Sequence, residues 1–128
     1  MLENLPIELI ELIIDTLPLE MSFIDAEDKV KYYSKGDKRI FKRTPAVIGK
    51  KIQNCHPPKS LDKVNEILKG FKENTRDFAE FWIPLGDLFL YIRYFPVRDS
   101  EGNYLGTLEV TQEISKIQTL KGEKRLLD

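Results

Sequence analysis

The chain has 128 residues, 41% hydrophobic and 32% charged, with 20 Lys and Arg against 21 Asp and Glu. That length fits one domain able to bury a core without disulfide or metal staples, and the even charge balance gives no reason to expect nucleic acid as a partner. The longest apolar run, residues 9–17, carries Glu11 and Asp15 and is too short and too charged to span a bilayer, so no membrane partner is expected. No basic segment precedes an apolar one at the N-terminus, so no signal peptide is expected. A single cysteine, Cys55, excludes an intrachain disulfide and fits a reducing compartment, which makes the cytoplasm the expected location.

Residues 4–17 predict an amphipathic helix, with Asn4 as its cap, Pro6 in its first turn and Pro18 ending it. Leu2, Leu5, Leu9 and Leu12 follow heptad-like spacing, while Ile10, Ile13, Ile14 and Leu17 form a second apolar face. A helix with two such faces is expected to touch both its own domain and something else. Leu5, Leu9, Leu12 and Ile13 are the candidate homodimer interface. Strands over 21–25 and 30–34 form a hairpin around the polar turn 26–29. Short helical turns and loops fill 35–58, where Gly36, Pro45, Gly49, Pro57 and Pro58 interrupt any longer pattern.

Ser60 is placed to cap a helix reaching Phe71, with Leu61, Val64, Ile67 and Leu68 on one side. Three strands follow at about 77–85, 88–97 and 104–111, joined by a tight turn at Gly86-Asp87 and a longer one at 99–103. The strand 88–97 is apolar on both faces, so cover is expected on both: the middle helices on one side, the N-terminal helix or a second subunit on the other. The fold class is therefore α+β, a five-stranded antiparallel sheet with short helices and one longer helix on one face, plus an N-terminal amphipathic helix.

Several residue groups bear on chemistry. Adjacent Cys55 and His56 do not chelate one metal well, and no other Cys or His exists to complete a zinc set. Cys55 has no second histidine to serve as its base, so a buried structural thiol is expected, and His56 is expected to bond the backbone ahead of Pro57 and Pro58. Arg93, Glu80 and Glu109 lie mid-strand and read either as outward residues or as one cross-strand ion pair; the alternative has Arg93 meeting an anionic ligand in a cavity. The basic residues Lys35, Lys38, Arg39, Lys42, Arg43, Lys50 and Lys51 read as a solvated loop face, with phosphate or an acidic partner as the alternative. No phosphate-cradling glycine spacing is present, no catalytic constellation emerges, and no enzyme activity is expected.

The element order, Pro96-Val97-Arg98-Asp99, Glu101-Gly102, Gly106 and the closing Glu113-Ile114-Ser115 resemble the PAS fold. Arg39-Ile40-Phe41, Asn54-Cys55-His56-Pro57-Pro58-Lys59-Ser60, Ala79-Glu80-Phe81-Trp82 and Gly122-Glu123-Lys124-Arg125-Leu126-Leu127 are similar to one PAS subgroup. That subgroup forms the C-terminal module of bacterial and archaeal proteins that often also carry a haemerythrin-like domain.

The chain is expected to divide into an N-terminal amphipathic cap helix over 1–18, a PAS-like domain over 19–115 and a charged tail over 116–128, and the resemblance implies other domains of a longer chain as partners. It also implies a sensory or regulatory module with a small ligand in an internal cavity. The inward candidates are Ile40, Val47, Ile48, Ile52, His56, Val64, Leu68, Phe81, Ile83, Ile92, Tyr94 and Leu108. The cofactor is left open by the resemblance, with haem as the candidate, because some PAS domains hold it through a histidine near the long helix, here His56. The competing reading is a ligand-free dimerisation or docking module.

Overall fold

Residues 1–128 are all described by the computed structural model. A 3-10 turn at Leu2–Asn4 precedes helix α1 (Ile7–Thr16). Pro6 holds the position before the helix, so Asn4 is not its cap and the expected helix loses its first turn. Strands β1 (Glu20–Asp25) and β2 (Val30–Tyr33) make the expected hairpin. Three 3-10 turns follow, at Gly36–Lys38, Pro45–Val47 and Ile52–Cys55.

Helix α2 spans Pro58–Lys72, with Pro57 at its cap position. It begins ahead of Ser60 because a proline at the first helical position gives up an N–H that would be orphaned anyway. Ser60 instead sits in the first turn and its hydroxyl donates to the Pro57 carbonyl at 3.3 Å. Strands β3 (Ala79–Leu85), β4 (Leu88–Arg98) and β5 (Tyr104–Glu113) complete the sheet, and a 3-10 turn at Ile117–Thr119 lies in the tail.

The sheet order is β2-β1-β5-β4-β3, antiparallel throughout. The last strand thus lies in the middle, beside the first. Register pairs Ser22 with Glu109, Ile24 with Thr107, Glu109 with Tyr94 and Ile92 with both Thr111 and Phe81. By the period of two, all of these side chains share the face on which α2 packs. One apolar core cluster lies on that face: Ile24, Val30, Ile52 and Leu68, with Val47 and Val64 against them. Gly106 lets β5 approach β1 closely; a methyl group there would overlap the Ile24 carbonyl and the Phe23 ring.

Arg39 is 2% exposed and Glu20 3% exposed, which corrects the reading of Arg39 as part of a solvated basic face. The guanidinium donates from Nε to the Phe41 carbonyl at 2.9 Å, and from Nη1 to the Met21 and Ser34 carbonyls at 3.0 and 3.1 Å. Its Nη2 reaches Ser22 Oγ at 3.3 Å and lies 3.8 Å from Glu20 Oε1. Glu20 in turn accepts from the Ile40 and Phe41 N–H groups at 2.8 and 3.1 Å. Two buried charges therefore clamp the chain leaving β2 onto β1. The rest of the basic run is also spoken for in part: Lys42 donates to the Asp37 carbonyl and Arg43 turns inward.

Helix α1 buries none of its residues and so does not seal the outer face of the sheet. It is tethered by Asp15, which accepts from the Lys35 N–H at 2.8 Å, while Lys35 Nζ donates to the Asp15 carbonyl at 3.1 Å. On that outer face the Arg93 guanidinium covers Tyr91 and Phe95, 4.7 and 5.9 Å from their ring centres, and donates to Gln112 at 3.2 Å. Arg93 pairs with neither Glu80 nor Glu109 and faces away from the cavity side. The Glu80 carboxylate accepts from the Tyr91 hydroxyl instead.

Removing one member of the Arg39–Glu20 pair leaves the other buried without its counter-charge. Glu20→Ala or Arg39→Ala is expected to cost roughly 3–5 kcal/mol in urea unfolding. A loss under about 1 kcal/mol, the level of an exposed pair, would show that the clamp does not hold the fold together.

Candidate functional site

Between α2 and the inner sheet face lies a cavity of about 560 Å³. Small-molecule sites run from about 300 to 1,000 Å³. Its apolar walls are Ile24 of β1, Ile52 of the 3-10 turn before α2, Val64, Ile67 and Leu68 of α2, and Phe81 of β3. The three α2 residues share one face because they stand three and four apart along the helix. Ser60 and Lys63 lie on the same helix edge, the lysine with its side chain exposed.

The polar lining gathers around Glu109 on β5. Strand register sets Glu109 opposite Ser22 on one side and Tyr94 on the other. Arg43, on the loop after β2, brings Nη2 to 3.8 Å from Glu109 Oε1, with both side chains largely buried. His56, at the end of α2 nearest the loop, completes the group.

The electrostatics of these residues are coupled. Burial first, and the neighbouring Glu109 carboxylate next, push the Tyr94 hydroxyl far above the usual phenol range, so it stays protonated. Burial lowers the His56 imidazole below its ordinary value; Glu109 opposes that shift and Arg43 adds to it. His56 is therefore neutral near pH 7. Two hydroxyls of the lining are already engaged. Ser22 accepts from Arg39, and Thr107 shares a 2.8 Å hydrogen bond with Tyr104.

Of the inward candidates, Ile52, His56, Val64, Leu68, Phe81 and Tyr94 line the cavity. Ile40, Val47, Ile48, Ile83, Ile92 and Leu108 do not. Ile92 is 1% exposed and sealed into the core further along β4, while Ile48 is 45% exposed on its loop. Ile83 lies toward the exposed end of edge strand β3, Val47 packs behind the wall against the core, and Ile40 is held at the Glu20 clamp. Leu108 is a parity error: its neighbours Thr107 and Glu109 face inward, so Leu108 faces out. The missed polar residues had a signal in the alternation Thr107, Glu109, Thr111 against Leu108 and Val110, which marks a strand with one polar buried face.

Two local expectations also change. Cys55 is exposed rather than a buried thiol, because it closes a 3-10 turn on the surface. His56 makes no hydrogen bond to the backbone ahead of Pro57; the extended backbone at His56 turns its ring toward the cavity instead. No three His, Cys, Asp or Glu side chains converge on a metal-sized site. The lining does not suit haem: the Glu109 carboxylate shares the end occupied by His56, and Lys63 is the one lining cation left to meet two propionates.

A sheet of this order, wrapped by short turns and one longer helix around a ligand-sized space, defines a PAS fold. The sequence matches a family described as a PAS domain over residues 10–115, and the chain belongs to that family. It is similar, at 35% identity and a TM-score of 0.84, to the crystal structure of a C-terminal domain from Streptococcus mutans, covering 91% of each chain. It also shares its fold with the PAS domain of BvgS from Bordetella pertussis, at 20% identity and a TM-score of 0.61, covering 85% of this chain and 86% of that one. A sensory box sensor histidine kinase from Vibrio cholerae aligns at 12% identity and a TM-score of 0.56, over 83% of this chain and 89% of that one. No curated protein matches the sequence. No helix is long and apolar enough to cross a membrane.

The lowered His56 value has a consequence for stability. As pH falls through the ordinary value of 6.5, the unfolded chain takes up a proton that the folded one refuses, so stability falls until the folded imidazole also titrates. The imidazole resonances of His56 are expected to titrate with a midpoint below 6.5. His56→Gln is expected to flatten the stability profile over that window; a midpoint at or above the ordinary value would contradict the burial.

Proposed function

We propose that this PAS domain is a sensory or regulatory module that holds a small ligand in the cavity and relays its presence through flanking helices or domains. The observation that carries the reading is the cavity itself: about 560 Å³, apolar along its walls and polar around Glu109. A ligand biases such a module only through different affinities for two states. The walls come from β1, β3 and α2, so occupancy bears on their relative positions. We place the module in the cytoplasm, as a non-enzymatic part of a longer protein, with a haemerythrin-like domain among its neighbours. That placement is supported by the subgroup resemblance and by the similarity to another protein's C-terminal domain.

Native mass spectrometry of protein purified without added ligand is expected to detect a non-covalent small molecule. Val64→Trp, which fills the cavity from α2, should abolish it while circular dichroism stays unchanged. A wild-type protein that carries nothing and gains no thermal stability from any compound in a small-molecule panel would refute the reading.

The second reading, homodimerisation through α1, is favoured by exposed apolar side chains. Leu12 is 62% and Ile13 47% exposed, Leu9 is also exposed, and Leu5 is half-buried. Isolated apolar residues on a surface are ordinary, but a row of them on one helix marks an interface. Light scattering at micromolar concentration is expected to give a dimer, and Leu12→Glu with Ile13→Lys a monomer. A monomeric wild type would remove this reading and leave the first intact.

A further inference from the structure

We propose that the cavity selects an uncharged molecule with an apolar body and one amide-type edge, read by Glu109 and His56. The inference rests on the reading of the cavity as a ligand site and adds the chemical class of its occupant. The apolar walls fix the character of the body. The polar end fixes its charge. Glu109 and Arg43 stand 3.8 Å apart, close enough to balance each other's charge but too far for a direct hydrogen bond. The carboxylate thus keeps most of its acceptor sites.

The remaining polar groups narrow the choice. Ser22 and Thr107 already have partners, Arg39 and Tyr104. Lys63 keeps its charge in water at the cavity edge. What remains is an acceptor on Glu109, whose carboxylate the protonated Tyr94 hydroxyl already faces as a hydrogen-bond partner, and a neutral imidazole on His56 with one donor and one acceptor nitrogen. An amide N–H donates to the carboxylate, and its carbonyl accepts from the imidazole N–H. An anion in the same place meets Glu109, and a cation meets a carboxylate whose charge Arg43 already balances. Either one buries a charge that the already balanced pair does not compensate.

The test is a titration of the isotopically labelled full chain, near neutral pH, followed by backbone amide resonances. The probes are toluene, benzamide, benzoate and benzylammonium, which share one ring and differ in the polar edge. Benzamide is expected to bind at least about tenfold more tightly than benzoate, benzylammonium or toluene, the scale of one hydrogen bond to a charged group. The shifts should centre on Ile24, Val64 and Leu68.

Glu109→Gln is expected to narrow the benzamide preference over benzoate at least about threefold, and His56→Phe to weaken benzamide by a similar factor. Toluene affinity should be unchanged in both, which reports an intact cavity. Benzoate, benzylammonium or toluene binding as tightly as benzamide would overturn the proposed class. So would a preference untouched by both variants. If toluene binds and benzamide is not preferred, only the class falls; if no probe moves any cavity resonance, the ligand-site reading falls with it.

Discussion

The pairing of Arg39 with Glu20 is the contact on which the placement of the site depends. Burying two charges is costly, and their mutual attraction offsets that cost only when the remaining donors and acceptors are met. Here they are: the guanidinium reaches three carbonyls and a hydroxyl, and the carboxylate takes two backbone N–H groups. The polar backbone of a loop is satisfied by side chains from itself and from β1. The loop after β2 is thereby held against the sheet without any long regular element of its own. From this anchor the chain carries Arg43 to Glu109, then Ile52 and His56 to the cavity.

A second clamp fixes the other end of that loop system. Asp28, in the turn between β1 and β2, takes Lys72 Nζ of α2 at 2.8 Å and the Gln53 amide at 2.9 Å. Hairpin turn, 3-10 turn and helix end are joined through one carboxylate. Between the two clamps the packed apolar cluster is small: four buried residues, with Val47 and Val64 against them. The helix is pinned at its C-terminal end, through Lys72, and apolar packing does not fill the full length beneath it. That division of labour leaves open volume over β5, where the inward side chains are Thr107 and Glu109 rather than large aliphatic groups. A polar buried face weakens packing, yet it supplies the hydrogen-bonding groups that a recognition site needs.

The outer face follows a different logic. Arg93 lies flat across Tyr91 and Phe95, so a guanidinium shields the aromatic surface that a packed helix was expected to cover. Such a side chain hides apolar area while keeping its charge near water. Helix α1 is released from that duty and presents its apolar rows outward, tethered through Asp15 and Lys35. The cavity face and the candidate contact face are therefore on different elements, each with its own polar attachments.

Element type and order were legible in the amino-acid sequence because they depend on local periodicity. Alternation marked the strands, three-and-four spacing marked α2, and Gly86-Asp87 marked the β3–β4 turn. Errors at the ends of α1 and α2 came from prolines, whose preference for the cap or first turn shifted each start by two or three residues. The cavity was half legible: apolar inward positions on α2, β3 and β4 followed from spacing, whereas β5 was read one residue out of register. The sequence alone determined a five-stranded α+β domain built round one longer helix. Tertiary structure decided that Glu109, Tyr94, His56 and Arg43 meet, that Arg39 is buried, and that Arg93 faces outward. Those outcomes depend on contacts between strands and loops far apart in the chain, for which local pattern carries no information.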